Sequence, residues 1–216
     1  MKKIVSFILV LVLCLSAVAL AEAVPSKNTS DMVTVELDAE LNPQIPTDSG
    51  LLVLPVLEED EEHAEVYAQR IEVCQEEIAR LAEAVSSATD TSGVETYFGE
   101  VRDSQGNVIV LSEVLEAQAL NVYEFMPLVV ASYEETYGNV TVLFQFKTPY
   151  AQDERVLVLI GIMNVETEEM EWTAFEGVGV GEDGAVQVEF TPEILTMIQE
   201  NIALLAVVSA AETEGQ

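Results

Sequence analysis

Basic residues are scarce in this chain of 216 residues, which has 8 Lys and Arg against 39 Asp and Glu and a formal net charge of −31 at pH 7. A field of this sign repels nucleic-acid phosphates and anionic lipid surfaces. The charge therefore argues against nucleic-acid binding and leaves cationic or neutral partners. Half of the residues are hydrophobic, so the acidity does not indicate a chain too polar to fold.

Histidine and cysteine are almost absent. The only histidine is His63, and the two cysteines are Cys14 and Cys74. A Ser or Cys nucleophile needs an adjacent base, and at 1.5 Å per helical residue His63 and Cys74 would stand about 16 Å apart. Zinc sites also need several such ligands close together. We therefore expect no enzyme activity, no catalytic residue, no metal site and no cofactor.

Carboxylates are too abundant to identify a site. A glycosidase needs only two of them at a defined separation, and 39 acidic residues supply many such pairs. Hard oxygen ligands for calcium are bunched in residues 58–62, 164–172 and 181–184, but 103–107 and 181–184 lack the ladder of acidic residues at every second position that typifies a calcium loop. Weak calcium binding stays open as an alternative to the interpretation of 181–184 as a hairpin turn.

One long hydrophobic run opens the chain. Lys2 and Lys3 precede the apolar residues 4–20, and an Ala-x-Ala pattern ends at Ala21. This order is typical of a bacterial signal peptide, residues 1–21, cleaved after Ala21. The alternative is a retained anchor, because about 17 apolar residues is the lower limit for crossing a bilayer. We expect a secreted or extracellular protein, with cell-surface association as an alternative, that no longer touches the membrane after cleavage.

Cleavage removes two basic residues and no acidic one, so the net charge changes from −31 to −33. It also leaves Cys74 as the single cysteine. No intramolecular disulfide can then form, and stability must come from packing. We expect Cys74 to be a buried, apolar-like residue, with an intermolecular disulfide as the alternative.

Residues 58–90 predict a long amphipathic helix. Apolar residues recur at alternating spacings of three and four, which places them on one helix face, and the acidic residues 58–62 stand where negative charge complements the helix dipole. We call this face the helix seam; it consists of Tyr67, Ile71, Cys74, Ile78, Leu81 and Val85. We expect the seam to pack on the protein's own sheet, with a coiled coil between two copies as the alternative.

The rest of the chain predicts strands. Residues 22–57 form a proline-rich lead-in with one edge strand around Val35, residues 91–211 form a β domain, and 212–216 are a tail. The predicted strands are 97–101, 107–111, 122–132, 139–148, 155–163, 170–180, 185–190 and 202–210, with short helices from Ser112 and Pro192. Short strands without βαβ alternation predict an α+β fold, mainly β: an antiparallel immunoglobulin-like β-sandwich preceded by the long amphipathic helix.

Aromatic residues offer two interpretations. Trp172 alternates with Met170 and Ala174 on one strand face, opposite Glu169 and Glu171, and this pattern favours a core position over an exposed stacking platform. The candidate ligand-binding residues are then Tyr133, Tyr137 and Tyr150, which lie near turns where loops commonly bind ligands. The alternative is that these rings pack over the edge of the core.

The sequence thus predicts an exported, acidic, noncatalytic binding or interaction module whose partner is a protein or a neutral glycan. Two more specific hypotheses remain. The first is a carbohydrate-binding module that uses Tyr133, Tyr137 and Tyr150. The second is a structural protein that forms homo-oligomers through the helix seam.

Overall fold

The computed structural model of the chain describes residues 34–55, 64–87, 92–146, 149–164, 166–181 and 184–211. The predicted signal peptide, Cys14, His63, the acidic run 58–62 and the tail 212–216 lie outside these residues. No helix within the described ranges is long and apolar enough to cross a membrane.

Strands dominate the described residues. They are β1 (Thr34–Glu36), β2 (Leu52–Pro55), β3 (Val101–Asp103), β4 (Val108–Ile109), β5 (Leu120–Ala131), β6 (Val140–Gln145), β7 (Arg155–Asn164), β8 (Glu169–Val180), β9 (Ala185–Phe190) and β10 (Ala203–Ala210). The helices are α1 (Ala64–Ser87), α2 (Ser92–Phe98), α3 (Leu111–Val114) and α4 (Pro192–Glu200), with a 3-10 turn at Glu135–Tyr137. The predicted mainly β composition is therefore confirmed.

All of these strands belong to one sheet, in the order β1-β6-β9-β8-β7-β10-β5-β2, with β3 attached to β8 and β4 attached to β3. Neighbouring strands are antiparallel except for the parallel pair of β3 and β8. The terminal strands β1 and β2 contact each other, so the sheet rolls up and nearly closes. The immunoglobulin-like arrangement is not confirmed, because that fold has two separate sheets.

The central strands β7 and β10 are apolar on both faces because both faces are covered. Val158 and Ile160 point into a core inside the rolled sheet, which we call the inner core and which α4 helps to close. Leu157 and Leu159 point to the opposite side, into a second cluster beneath α1 and α2, which we call the outer core. This double coverage explains the uninterrupted apolar runs of these strands, which a half-exposed strand would not tolerate.

The helix seam lies against the protein's own sheet. Cys74 and Leu81 are buried in the outer core, and Ile78 and Val85 pack against it. The Cys74 thiol donates to the carbonyl of Phe125 at 3.9 Å. The predicted burial of Cys74 is confirmed. The seam is covered from Cys74 to Val85, whereas Tyr67 and Ile71 at its beginning are half-buried.

Two local predictions were wrong. Residues 97–98, predicted to begin a strand, end helix α2 instead, because Val94 and Phe98 lie one turn apart and both enter the outer core. Gly99 then terminates the helix with φ +60° and donates to Glu95 O, as glycine often does at helix ends. The helix expected from Ser112 is the single turn α3, which begins at the buried Leu111.

The lead-in is fastened to the sheet through Asn42, which is buried. Its Nδ2 donates to the carbonyls of Thr141 at 2.8 Å and Asp38 at 3.0 Å, and its Oδ1 accepts from Thr141 N–H at 2.8 Å. Satisfying all these groups is what allows a polar side chain to be buried. The lead-in also supplies β1, at one end of the strand order, and β2, an edge strand that was not predicted.

Trp172 is a core residue, as its alternation predicted, with only 4 % of its surface exposed. Its partner across the β7–β8 ladder is Gly161. A Cβ on Gly161 would lie 2.7 Å from Trp172 Cζ3 and 2.8 Å from Met170 Cε, closer than real Cβ atoms approach. The glycine therefore makes the space in which the indole lies.

We expect Gly161→Ala to destabilise the protein by about 1–3 kcal/mol, because the added methyl overpacks the outer core at Trp172. Urea unfolding followed by circular dichroism measures the change. Trp172→Phe supplies a smaller ring, so the double variant should lose less than the sum of the two single changes. An unchanged urea midpoint for Gly161→Ala would contradict this packing.

Candidate functional site

The tyrosines proposed as ligand-binding residues are core residues. Tyr133, Tyr137 and Tyr150 are 4–7 % exposed and belong to the inner core. The rings of Tyr133 and Tyr137 meet edge to face at 6.1 Å, whereas Tyr150 packs against Phe146 and Tyr123. These three rings therefore present little surface on which a sugar could stack.

A cleft of about 670 Å³ lies at the beginning of β8, between this strand, α1, the end of α2 and the beginning of β3. Its apolar lining comes from Tyr97, Phe98, Met170 and Trp172 among others. Six charged residues also line it: Glu77, Arg80, Glu100, Arg102, Glu169 and Glu171. The cleft thus combines an aromatic wall with four carboxylates and two guanidinium groups.

The partners of β8 explain why a cleft forms here. The β7 ladder runs along β8 from Glu169 to Val178. On the second edge, β3 pairs with Trp172–Ala174 and β9 with Gly177–Val180. Among the described strands, none pairs with this second edge at residues 169–171. At its beginning, β8 therefore pairs with β7 along one edge, and its other edge lies beside the cleft.

The aromatic wall is a cluster of rings around Trp172. Phe98 meets the indole edge to face at a centroid distance of 4.9 Å, Phe125 approaches at 5.9 Å and Tyr97 at 6.2 Å. Tyr97 and Phe98 also contact each other at 4.9 Å. Edge-to-face pairs add to the stability gained by burying the rings, so this wall is rigidly packed.

Glu77 is a buried carboxylate at the base of the cleft, only 5 % exposed. Its Oε2 accepts from the Tyr97 hydroxyl at 2.8 Å, and its Oε1 accepts from Arg80 Nη1 at 2.7 Å. Burial, and then the charge of Glu77, raise the pKa of Tyr97 well above its usual range. The phenol therefore stays protonated and serves as the donor to the carboxylate.

The remaining charges lie nearer the solvent. Arg102 donates to the carbonyl of Gly106 at 2.9 Å and pairs with Glu100. Glu171 accepts from Asn164 Nδ2 at 2.7 Å. Glu169 and Glu171 are exposed on the strand face opposite Trp172. Because both guanidinium groups already hold a carboxylate, these two glutamates set the charge that a ligand would meet.

Sequence reasoning missed this site. It placed Trp172 correctly in the core, but assigned no role to Glu77 or Arg80. The available signal was the (i, i+3) pair of Glu77 and Arg80 on the flank of the helix seam, a spacing at which side chains meet on a helix. The partner Tyr97 is 20 residues away and was assigned to a strand, so the pattern of α1 alone could not reveal it.

Comparisons of the chain with protein-family models, with curated proteins and with solved structures find no match. Within the described ranges, no three His, Cys, Asp or Glu side chains are grouped so as to hold a metal ion. The cleft therefore carries the functional interpretation.

We expect Tyr97→Phe to lower the free energy of unfolding by about 1–3 kcal/mol at neutral pH, because the buried Glu77 carboxylate loses a donor. The pKa of Tyr97 is higher in the folded protein than its usual value of 10.0 in the unfolded chain. The protonated phenol therefore contributes folding stability below about pH 10, and this contribution is lost as the pH rises further. The difference between the native protein and the variant should therefore narrow above pH 10.

Urea unfolding over a series of pH values measures this difference. The control is Tyr123→Phe, since the hydroxyl of Tyr123 accepts only an exposed bond from Asn121. If Tyr97→Phe lowered the free energy of unfolding no more than Tyr123→Phe does, the hydrogen bond from Tyr97 to Glu77 would be contradicted.

We expect Tyr150→Phe to raise the free energy of unfolding by about 1 kcal/mol, because a buried hydroxyl without a bond costs desolvation free energy. Among the described residues, Tyr150 Oη has no hydrogen-bond partner. Tyr133→Phe is the matched control: its hydroxyl donates to Gly138 O at 2.9 Å, so its loss should destabilise. Thermal melts compare them, and a destabilised Tyr150→Phe would show that this hydroxyl has a role.

Proposed function

We propose that this protein is an exported, noncatalytic binding module that holds a cationic peptide or protein segment in the cleft at the beginning of β8. The observation that carries the proposal is the cleft itself, where an aromatic wall adjoins two solvent-exposed carboxylates, Glu169 and Glu171. An apolar surface with a few placed polar groups is what ligand sites in proteins commonly have.

The charge of the chain supports a cationic partner. The whole sequence carries −31, and the cleft repeats this bias, with four carboxylates against two guanidinium groups. A field of one sign attracts ligands of the opposite sign and raises their association rate. Lysine and arginine side chains can also lay their apolar stems along a surface such as that of Met170 while their charges reach a carboxylate.

The bonding of Glu77 supports a noncatalytic role. A catalytic base must be free to take a proton from a ligand, whereas both oxygens of Glu77 already accept bonds from Tyr97 and Arg80. The Glu77 carboxylate is the buried partner of an ion pair whose guanidinium group, on Arg80, is exposed. Its position fixes α1 against α2 and so maintains the wall of the cleft.

The two earlier alternatives gain no comparable support. A sugar platform needs exposed rings, and Tyr133, Tyr137 and Tyr150 are buried. Self-association through the helix seam needs exposed apolar side chains, and four of the six seam residues lie in or against the outer core: Cys74, Ile78, Leu81 and Val85. The cleft favours a peptide ligand over either hypothesis.

Titration with a short oligolysine peptide tests the proposal, with binding read from the fluorescence of Trp172, the only tryptophan in the chain. We expect saturable binding that weakens as the salt concentration rises, because the attraction is electrostatic. Oligoglutamate and neutral oligosaccharides should not bind. A saturable response to the oligosaccharides with none to oligolysine would overturn the proposal in favour of a glycan ligand.

The double variant Glu169→Gln with Glu171→Gln should weaken oligolysine binding at least about tenfold, since both carboxylates that face the ligand lose their charge. The matched control is Glu113→Gln with Glu134→Gln, which removes the same charge from exposed residues that do not line the cleft. Equal weakening by the two pairs would show that binding depends on net charge alone and not on the cleft.

A further inference from the structure

The beginning of β8 has an open edge within the cleft. Residues 169–171 pair with β7 on one side, and pairing on the other side starts only at Trp172, where β3 joins. The chain before β3 does not continue the ladder, because Gly99, at φ +60°, turns it back into α2. Among the described strands, none fills the place beside residues 169–171.

An unoccupied strand edge beside a ligand cleft has a direct use. Its main-chain N–H and C=O groups can pair with an extended peptide, which then joins the sheet as an added strand. Cleft residues Gly99 and Glu100 lie where such a strand would end, in line with β3. The space of about 670 Å³ that adjoins the edge is available for the side chains of the added strand.

We propose that the ligand is an extended segment that adds as a strand to the open edge of β8 at Glu169–Glu171, with basic residues alternating with apolar ones; this inference rests on the proposed function of the cleft. The main chain of the segment pairs with β8, and its side chains fall alternately on the two faces of the sheet.

The alternation follows from the two faces of β8. Glu169 and Glu171 are on one face, so side chains of the added strand on that face are their cross-strand neighbours, and opposite charges there stabilise the pairing. Met170 and Trp172 are on the other face, beside Tyr97 and Phe98. Apolar side chains of the ligand would contact Met170 and Tyr97, the half-buried members of that wall. The two faces together therefore select basic and apolar residues in turn.

A peptide of alternating lysine and valine tests the mode of binding against the folded full-length protein. We expect it to bind at least about tenfold more tightly than a peptide of the same composition with lysines and valines in separate blocks, because only the alternating peptide matches both faces. Equal affinities would overturn the predicted ligand pattern.

N-methylation tests the strand pairing itself. In an extended chain the lysine N–H groups point to one edge and the valine N–H groups to the other. We expect methylation of one set to weaken binding at least about tenfold and methylation of the other set to change it less than about threefold. The sensitive set would also give the direction of the added strand. If methylation of the lysine set and methylation of the valine set changed the affinity equally, strand addition would be overturned. This holds whether both methylated peptides still bind or neither does.

The two proposals fail differently. If the unmodified peptides do not bind at all, the proposed function of the cleft is wrong. If they bind but both methylated forms bind equally well, the cleft binds cations without strand addition. Hydrogen exchange gives an independent measurement on the protein side. The peptide should slow exchange within residues 169–171 and leave that of β2, four positions from β8 in the strand order, unchanged.

Discussion

The burial of both faces of the central strands β7 and β10 is the constraint on which the rest of the structure depends. Residues such as Leu159 and Ile160 follow one another in sequence and are both fully buried, yet they point to opposite sides of the sheet. Each side must therefore be covered. Rolling of the sheet covers one side of these strands, and α1 with α2 covers the other. The strand order and the helix seam are therefore both needed to bury β7 and β10.

That double coverage changes along β8, and the change creates the cleft. Trp172 and Ala174 face the outer core, whereas Glu176 and Val178, which follow on the same face of the strand, are exposed. Only the first half of β8 thus lies beneath the helices, and its opposite face exposes Glu169 and Glu171. Glu77, held by Tyr97 and Arg80, keeps the helical wall in place above it. The cleft therefore forms where the helices α1 and α2 cease to cover the sheet.

The sequence predicts what depends on local periodicity and misses what depends on distant partners. The seam of α1, the core position of Trp172 and the ends of β7 to within a residue follow from spacing alone. The single rolled sheet does not, because alternation shows which residues share a face but not which strands pair. Helix α2 was missed since Tyr97 and Phe98 favour strands by propensity, and its contacts with the outer core decide otherwise.

The acidity of the chain links the fold to its proposed ligand. Like charges repel each other in the compact state and reduce its stability, and surfaces such as the face of Glu169 and Glu171 add to that repulsion. The apolar packing on both sides of β7 and β10 must offset it. A bound cationic segment would reduce the repulsion while it fills the open edge of β8, and any ligand that binds only the folded state stabilises that state. The protein would thus be most stable when its cleft is occupied, which couples ligand binding to the stability of the fold.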